Sequence, residues 1–180
     1  MKSIKFILYI IISIITALFI FSFFLSQEYS VKRTIEILSP ADSVFSYINN
    51  LKNWEKWTVW NLEKNSNIII NYEKKTEGVG AKIYWTEKDE KAGDIQISYS
   101  VPYDYVKYDM HLGNYDLKIS GSFIQKSNIN RTTINWIKVC NVGFNPLAKY
   151  FAYLFFEEQI GNDMSKSLRK LKQNIESNFQ

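Results

Sequence analysis

From about Asn67 to Cys140 the chain repeats one pattern: apolar and polar residues alternate with a period of two, broken at short intervals by turn residues. That period belongs to strands with one face in a core and the other in water. Ile95, Ile97, Tyr99 and Val101, interleaved with Asp94, Gln96, Ser98 and Ser100, are the clearest case. Ala81, Ile83 and Trp85 precede them; Val106, Tyr108, Met110 and Leu112 follow, then Leu117, Ile119, Gly121 and Phe123, then Ile134 and Trp136. Gly78-Val79-Gly80, Ala92-Gly93, Pro102, Gly113-Asn114 and Ser127-Asn128 separate them. Connections this short admit only antiparallel neighbours, since a parallel pair needs a crossover of about a dozen residues. The segment therefore predicts six antiparallel strands whose apolar face must be covered.

The cover lies downstream. Asn145-Pro146 reads as a helix cap followed by proline at the first helical position. Leu147, Phe151, Leu154, Phe155, Ile160, Met164, Leu168, Leu171 and Ile175 then continue a helical pattern over about thirty residues. Gly161 within it predicts a bend or a close approach, because mid-helix glycine costs about 1 kcal/mol against alanine. Upstream, Tyr29, Val31, Ile35 and Ile37 form a strand pattern. Ser39-Pro40 reads as the cap of a helix carrying Val44, Phe45, Ile48 and Leu51, and a second short helix carries Trp54 and Trp57. The fold class is α+β: strand, two short helices, six antiparallel strands, one long helix.

The N-terminus is of another kind. Phe6 to Ser26 is twenty-one residues without a charge, fifteen of them Ile, Leu or Phe. As a helix this spans roughly 31 Å, against about 30 Å for the hydrocarbon core of a bilayer. A cleaved secretory signal is the rival reading. Its apolar region is shorter and ends in small residues, whereas this run closes with Phe23-Phe24-Leu25. The expectation is an anchor over residues 1–27, crossing the membrane with residues 6–26, and one domain over 28–180. Lys2 and Lys5 before the run are matched by Lys32 and Arg33 after it, so charge barely sets the orientation. The short tail and its amine favour a cytoplasmic N-terminus, with the domain outside the cell membrane.

Composition removes several functions. The net charge is +4, and without Lys2 and Lys5 only +2 remains, mixed with acids; nucleic-acid binding needs a concentrated basic face. His111 and Cys140 are the only histidine and cysteine, so no zinc ligand set of the usual kind can form. No metal or cofactor is expected. His111 is the natural acid/base, but its parity is opposite to that of Tyr108 and Met110, which puts it toward solvent. Gly78-Val79-Gly80 leads into a strand and lacks the helix N-terminus that binds phosphate. Glu157-Glu158 and the Lys166–Lys172 cluster read as helix surface.

Ser39-Pro40-Ala41-Asp42-Ser43-Val44-Phe45-Ser46-Tyr47-Ile48, with Trp54 and Trp57 after it, resembles the opening of the START-like (SRPBCC) superfamily. Within it the segment is similar to bacterial polyketide cyclase/dehydrase-like proteins that carry an N-terminal membrane helix. Gly78-Val79-Gly80-Ala81 with Trp85, Gly121-Ser122-Phe123, Thr132-Thr133-Ile134-Asn135-Trp136, and Ile160-Gly161-Asn162-Asp163 with Leu168 and Leu171-Lys172 are similar to the same subgroup. Asn130-Arg131 stand where relatives often carry glycine, a departure confined to that turn. The resemblance implies a helix-grip (START/Bet v 1-like) fold, a curved antiparallel sheet around a long C-terminal helix, with a cavity that holds an apolar or amphipathic small ligand. It transfers no catalytic motif.

The candidate ligand-binding residues are aromatic and apolar. Trp85, Tyr99, Tyr108, Met110, Phe123 and Trp136 share the inward parity of their strands. Phe151, Phe155 and Met164 meet them from the long helix, and Trp54 or Trp57 closes one end. Such rings suit a solid core as well as a cavity, and composition does not separate the two; the family geometry favours the cavity. The leading expectation is a membrane-anchored binder of a hydrophobic small molecule or lipid. A polyketide cyclase/dehydrase-like enzyme and an envelope stress or scaffold protein with a filled core are the alternatives.

Overall fold

The computed structural model describes residues 2–59, 68–88, 90–113 and 115–177. Asn67 and Asn114, and the side chains of residues 115–118 with Leu117 among them, lie outside the described part. The chain runs α1 (Lys2–Ser22), β1 (Glu28–Ile37), α2 (Ala41–Asn49), a 3₁₀ turn (Leu51–Asn53), α3 (Trp54–Trp57), β2 (Ile68–Tyr72), β3 (Lys82–Glu87), β4 (Glu90–Val101), β5 (Tyr105–Leu112), β6 (Tyr115–Asn128) and β7 (Arg131–Asn141). It closes with α4 (Pro146–Phe151), a π-helical stretch (Ala152–Phe156) and α5 (Glu157–Glu176). The seven strands form one antiparallel sheet in the order β1-β7-β6-β5-β4-β3-β2. Hairpins join β2 through β7 in sequence, as short turns require, and β1 closes against β7. The sheet curves around α5, which lies against β1 and α3 in a helix-grip architecture.

Asn145 caps α4 as its sequence predicts: its side-chain oxygen accepts from the Leu147 and Ala148 amides at 2.9 and 3.2 Å. Ser39 does not cap α2. The helix begins at Ala41 with Pro40 as its cap residue, and the buried Ser39 hydroxyl has no hydrogen-bond partner among the described residues. Its carbonyl instead accepts from Thr132 Oγ1 at 2.8 Å, tying the start of α2 to β7.

Gly161 is a site of close approach. A side chain there would run into the guanidinium of Arg33. Arg33 lies across the helix at that point, donating to Ser165 Oγ at 3.1 Å and to Glu157 Oε1 at 2.8 Å. The glycine thus lets β1 grip α5.

α1 contains one stretch, Ile4–Ser22, long and apolar enough to cross a membrane and unburied by the rest of the chain. A signal sequence passes the same test. The apolar run outlasts the helix, since Phe23–Ser26 lie beyond its last turn. Two hydrogen bonds tie that end to α4. Lys149 Nζ donates to the Ser22 carbonyl at 3.1 Å, where a cation complements the helix C-terminus, and Tyr150 Oη donates to the Leu18 carbonyl at 2.8 Å.

Candidate functional site

Strand register sorts the inward side chains into rows across the sheet. Val106, Phe123, Trp136 and Arg33 make one row; Ile97, Tyr108, Gly121, Lys138 and Val31 the next. Ile83, Ile95, Met110, Ile119 and Cys140 make the third, and Ile70, Trp85, Gly93 and Leu112 the fourth. The first two rows are filled by rings, and the last two face a void.

In the filled half, Trp57 packs edge-on against Phe123 and Trp136, with centroids at 6.0 and 5.7 Å. Phe123 stacks on Trp136 at 4.9 Å, and Trp54 meets Tyr108 and Phe123 at 5.0 and 5.8 Å. A side chain at Gly121 would overlap the Tyr108 ring. Its absence lets that ring lie across β6 and bring its hydroxyl to Trp136 Nε1, which donates to it at 3.0 Å. Burial pushes the Tyr108 phenol far up, so it stays neutral. Trp57, Tyr108, Phe123, Trp136 and Met164 are thus interlocked core, at most 1% exposed.

The void is a cavity of about 280 Å³ between rows three and four, α3 and the start of α5. Ile83, Ile95, Met110 and Ile119 form its floor, and Trp85, lying over Gly93, one wall. Trp54 divides it from the ring cluster, and Phe156 and Ile160 close it from the helix. Among the described residues, the polar ones that reach it are Glu55, Thr58 and Lys138. Its size lies near the lower end of small-molecule sites, commonly about 300–1,000 Å³.

Of the eleven side chains predicted to line a ligand site, the structure places Trp54, Trp85 and Met110 on this cavity. Trp57, Tyr108, Phe123, Trp136 and Met164 belong to the filled core instead, and the remaining three point away from both. Tyr99 is 54% exposed, its ring 5.8 Å from that of Tyr105. A bulge between Ile97 and Tyr99 inserts one residue opposite the Tyr108–Lys107 step, and one extra residue exchanges the faces of all that follow. Phe151 and Phe155 are 57% and 40% exposed. The inward positions are Ala152 and Phe156, because the core takes the narrow alanine side of α4 and the π-helical stretch shifts the phase before α5.

Lys138 is what the sequence reading passed over. It shares the parity of Ile134 and Trp136, a visible signal, and is 3% exposed. Its Nζ sits 4.7 Å from the centre of the Trp136 ring, a cation–π contact. Burial drives its pKa down to about 7, although the Asp163 carboxylate opposes the shift. His111 faces outward, its side chain 63% exposed, with Nδ1 3.1 Å from Asp94 Oδ1. Burial tends to raise the Asp94 pKa, but bonds from Lys91 and His111 and the charge of Lys82 outweigh it and hold the carboxyl below its usual range. Burial also pushes the Cys140 thiol up, which leaves it a poor nucleophile. Among the described residues no cluster of His, Cys, Asp and Glu is placed to hold a metal.

No family model and no curated protein matches the chain. Solved structures do match in fold. TTHA0849 from Thermus thermophilus is 10% identical with a TM-score of 0.60, covering 84% of this chain and 100% of that one. The di-domain ARO/CYC BexL from the BE-7585A biosynthetic pathway is 15% identical at 0.58, over 82% of this chain and 46% of its own. Ara h 8.0201 is 11% identical at 0.57, over 83% of this chain and 99% of its own. At these identities the likeness establishes the Bet v 1-like fold.

Proposed function

We propose that this protein is a membrane-anchored member of the START-like group whose domain, residues 28–180, binds a hydrophobic small molecule or lipid between sheet and C-terminal helix. The observation that carries this is the apolar cavity above Ile83, Ile95, Met110 and Ile119, in a domain whose rings already fill the rest of the core. A guest that covers this apolar surface gains about 25 cal/mol per Å². Residues 1–27 act as the tether, with the N-terminus cytoplasmic and the domain outside. A guest that partitions into the bilayer is then held beside its source.

The expected result is that the full chain, purified in phosphatidylcholine nanodiscs, quenches or shifts its Trp54 and Trp85 fluorescence on titration with decanol, and that Ile70→Trp, which fills the cavity, abolishes the response. A wild-type chain that binds neither decanol nor any native molecule recoverable by solvent extraction and mass spectrometry would falsify the reading. Lys138 favours a second reading, catalysis on a carbonyl substrate, because an amine near neutrality in an apolar room is able to act as a base or nucleophile.

A further inference from the structure

Lys138 brings an ammonium into a chamber whose other walls are almost wholly apolar. An amphiphile in that chamber gains from apolar contact along most of its length, so its polar end is what selects among ligands. Position fixes where that end goes. Lys138 stands at the border between the ring cluster and the void, flanked on β1 and β6 by Val31 and Gly121. Among the described residues, Asp163 on α5 acts on it through its charge, and Glu55 on α3 lines the same cavity. From β5 the Tyr108 hydroxyl is engaged by Trp136. A second anion brought to Nζ forms a charge-assisted bond in a low-dielectric site, about twice as strong as a neutral one.

We propose that Lys138 is the head-group site of the cavity, which selects amphiphiles with a carboxylate end over neutral ones of the same length. This deepens the binding function proposed above and rests on it. The amine must carry its proton to attract an anion, so the preference weakens as pH rises and the amine is neutralised.

The experiment compares decanoate, ¹³C-labelled at the carboxyl, with decanol on the full chain in phosphatidylcholine nanodiscs, with empty nanodiscs as the blank. At pH 6 decanoate is expected to bind at least about tenfold tighter, the value of one charge-assisted bond of roughly 1.4 kcal/mol, and to show a shifted carboxyl resonance. At pH 9 the advantage shrinks, and Lys138→Met makes the affinities for decanoate and decanol equal at both pH values. Equal affinities in the wild type, or a preference that survives Lys138→Met, overturn the head-group assignment and leave the cavity reading standing. Failure of both ligands to bind overturns the cavity reading itself.

A different observation carries a second inference. Leu147, Phe151, Leu154 and Phe155 follow the i, i+4, i+7, i+8 spacing of one helix face and are 81, 57, 59 and 40% exposed, with Phe144 beside them at 81%. The bonds from Lys149 and Tyr150 to Ser22 and Leu18, and the stacking of Phe21 on Tyr150 at 6.3 Å, fix this stripe next to the last turn of α1. The span of 19 residues is about 28 Å long at 1.5 Å per residue, close to the hydrocarbon thickness. Its last turn, and the stripe with it, then fall at the membrane boundary. We infer that the stripe is embedded in the acyl region of the bilayer that α1 crosses, which also sets Phe156 and Ile160, at the cavity wall, beside that bilayer.

A nitroxide attached at Leu154→Cys in a Cys140→Ala background of the full chain reports the surroundings. In nanodiscs it is expected to collide with oxygen far more than with a water-soluble nickel complex, and a label at Lys170→Cys to do the reverse. A nickel-accessible label at 154 overturns the inference, and a label shielded from both reagents overturns it in favour of a protein partner. An intact mass lacking α1 removes anchor and platform together.

Discussion

Replacing Trp136 with alanine is expected to lower the unfolding free energy by about 4–8 kcal/mol, a large share of the roughly 5–15 kcal/mol that holds a typical domain folded. Two costs combine. Removing a fully buried indole leaves a cavity worth about 3–5 kcal/mol. The Tyr108 hydroxyl, buried and bonded to the Trp136 N–H at 3.0 Å, loses that donor, an orphaned group costing about 1–3 kcal/mol. Trp136 stacks on Phe123 and meets Trp57 edge-on, so neighbours locked in contact on both sides have little freedom to collapse into the gap. Trp136→Phe keeps a ring and removes mainly the donor, so it should lose less than half as much. Urea unfolding of the full chain in a non-ionic detergent measures both. A loss below about 1 kcal/mol for the alanine variant would mean that these rings are not the centre of the core.

The same rings mark how far sequence carries. Alternation correctly announced antiparallel hairpins, because a period of two and turns of a few residues leave the chain no other way to pair. It also placed Tyr108, Met110, Phe123 and Trp136 on the inner face. Parity says which face a residue takes and nothing of which row it joins. Phe123 and Trp136 fall in a row under the indoles of α3, whereas Met110 falls in one that borders the cavity, and only the register distinguishes them. Tyr99 failed for a local reason, an extra residue in β4 with no glycine or proline to announce it. Phe151 and Phe155 failed because the helix is apolar on two sides. Hydrophobicity alone does not reveal that Ala152 faces the sheet while the larger residues face away. Lys138 was legible: it is two residues past Trp136 in an unbroken alternation. Its charge argued for the surface, yet the pleat places it inside.

That lysine leads to the second large effect, a stability difference that depends on pH. A protonated lysine in an apolar cavity is destabilising, and its pKa of about 7, against 10.5 when free, corresponds to roughly 3–5 kcal/mol at 1.36 kcal/mol per pH unit. Below pH 7 the amine is charged in both folded and unfolded chains, and the folded state carries the whole penalty. Between pH 7 and about 10.5 the unfolded chain holds a proton that the folded chain has shed, so stability rises with pH across that window by up to about 1.4 kcal/mol per unit. Lys138→Met has a similar length and no charge to bury. It is therefore expected to be more stable than wild type at pH 6, by about 1–4 kcal/mol once imperfect packing is allowed for, with the difference closing as pH approaches 10. Urea midpoints of the two chains at pH 6, 8 and 10 decide the matter. Every other group is present in both, so the changing gap isolates Lys138 and the groups that face it. A gap that stays constant with pH would mean that the amine finds water or a stronger partner than Asp163. The same penalty sets the ligand logic: a carboxylate guest relieves it when the amine is charged and has nothing to relieve when the amine is neutral.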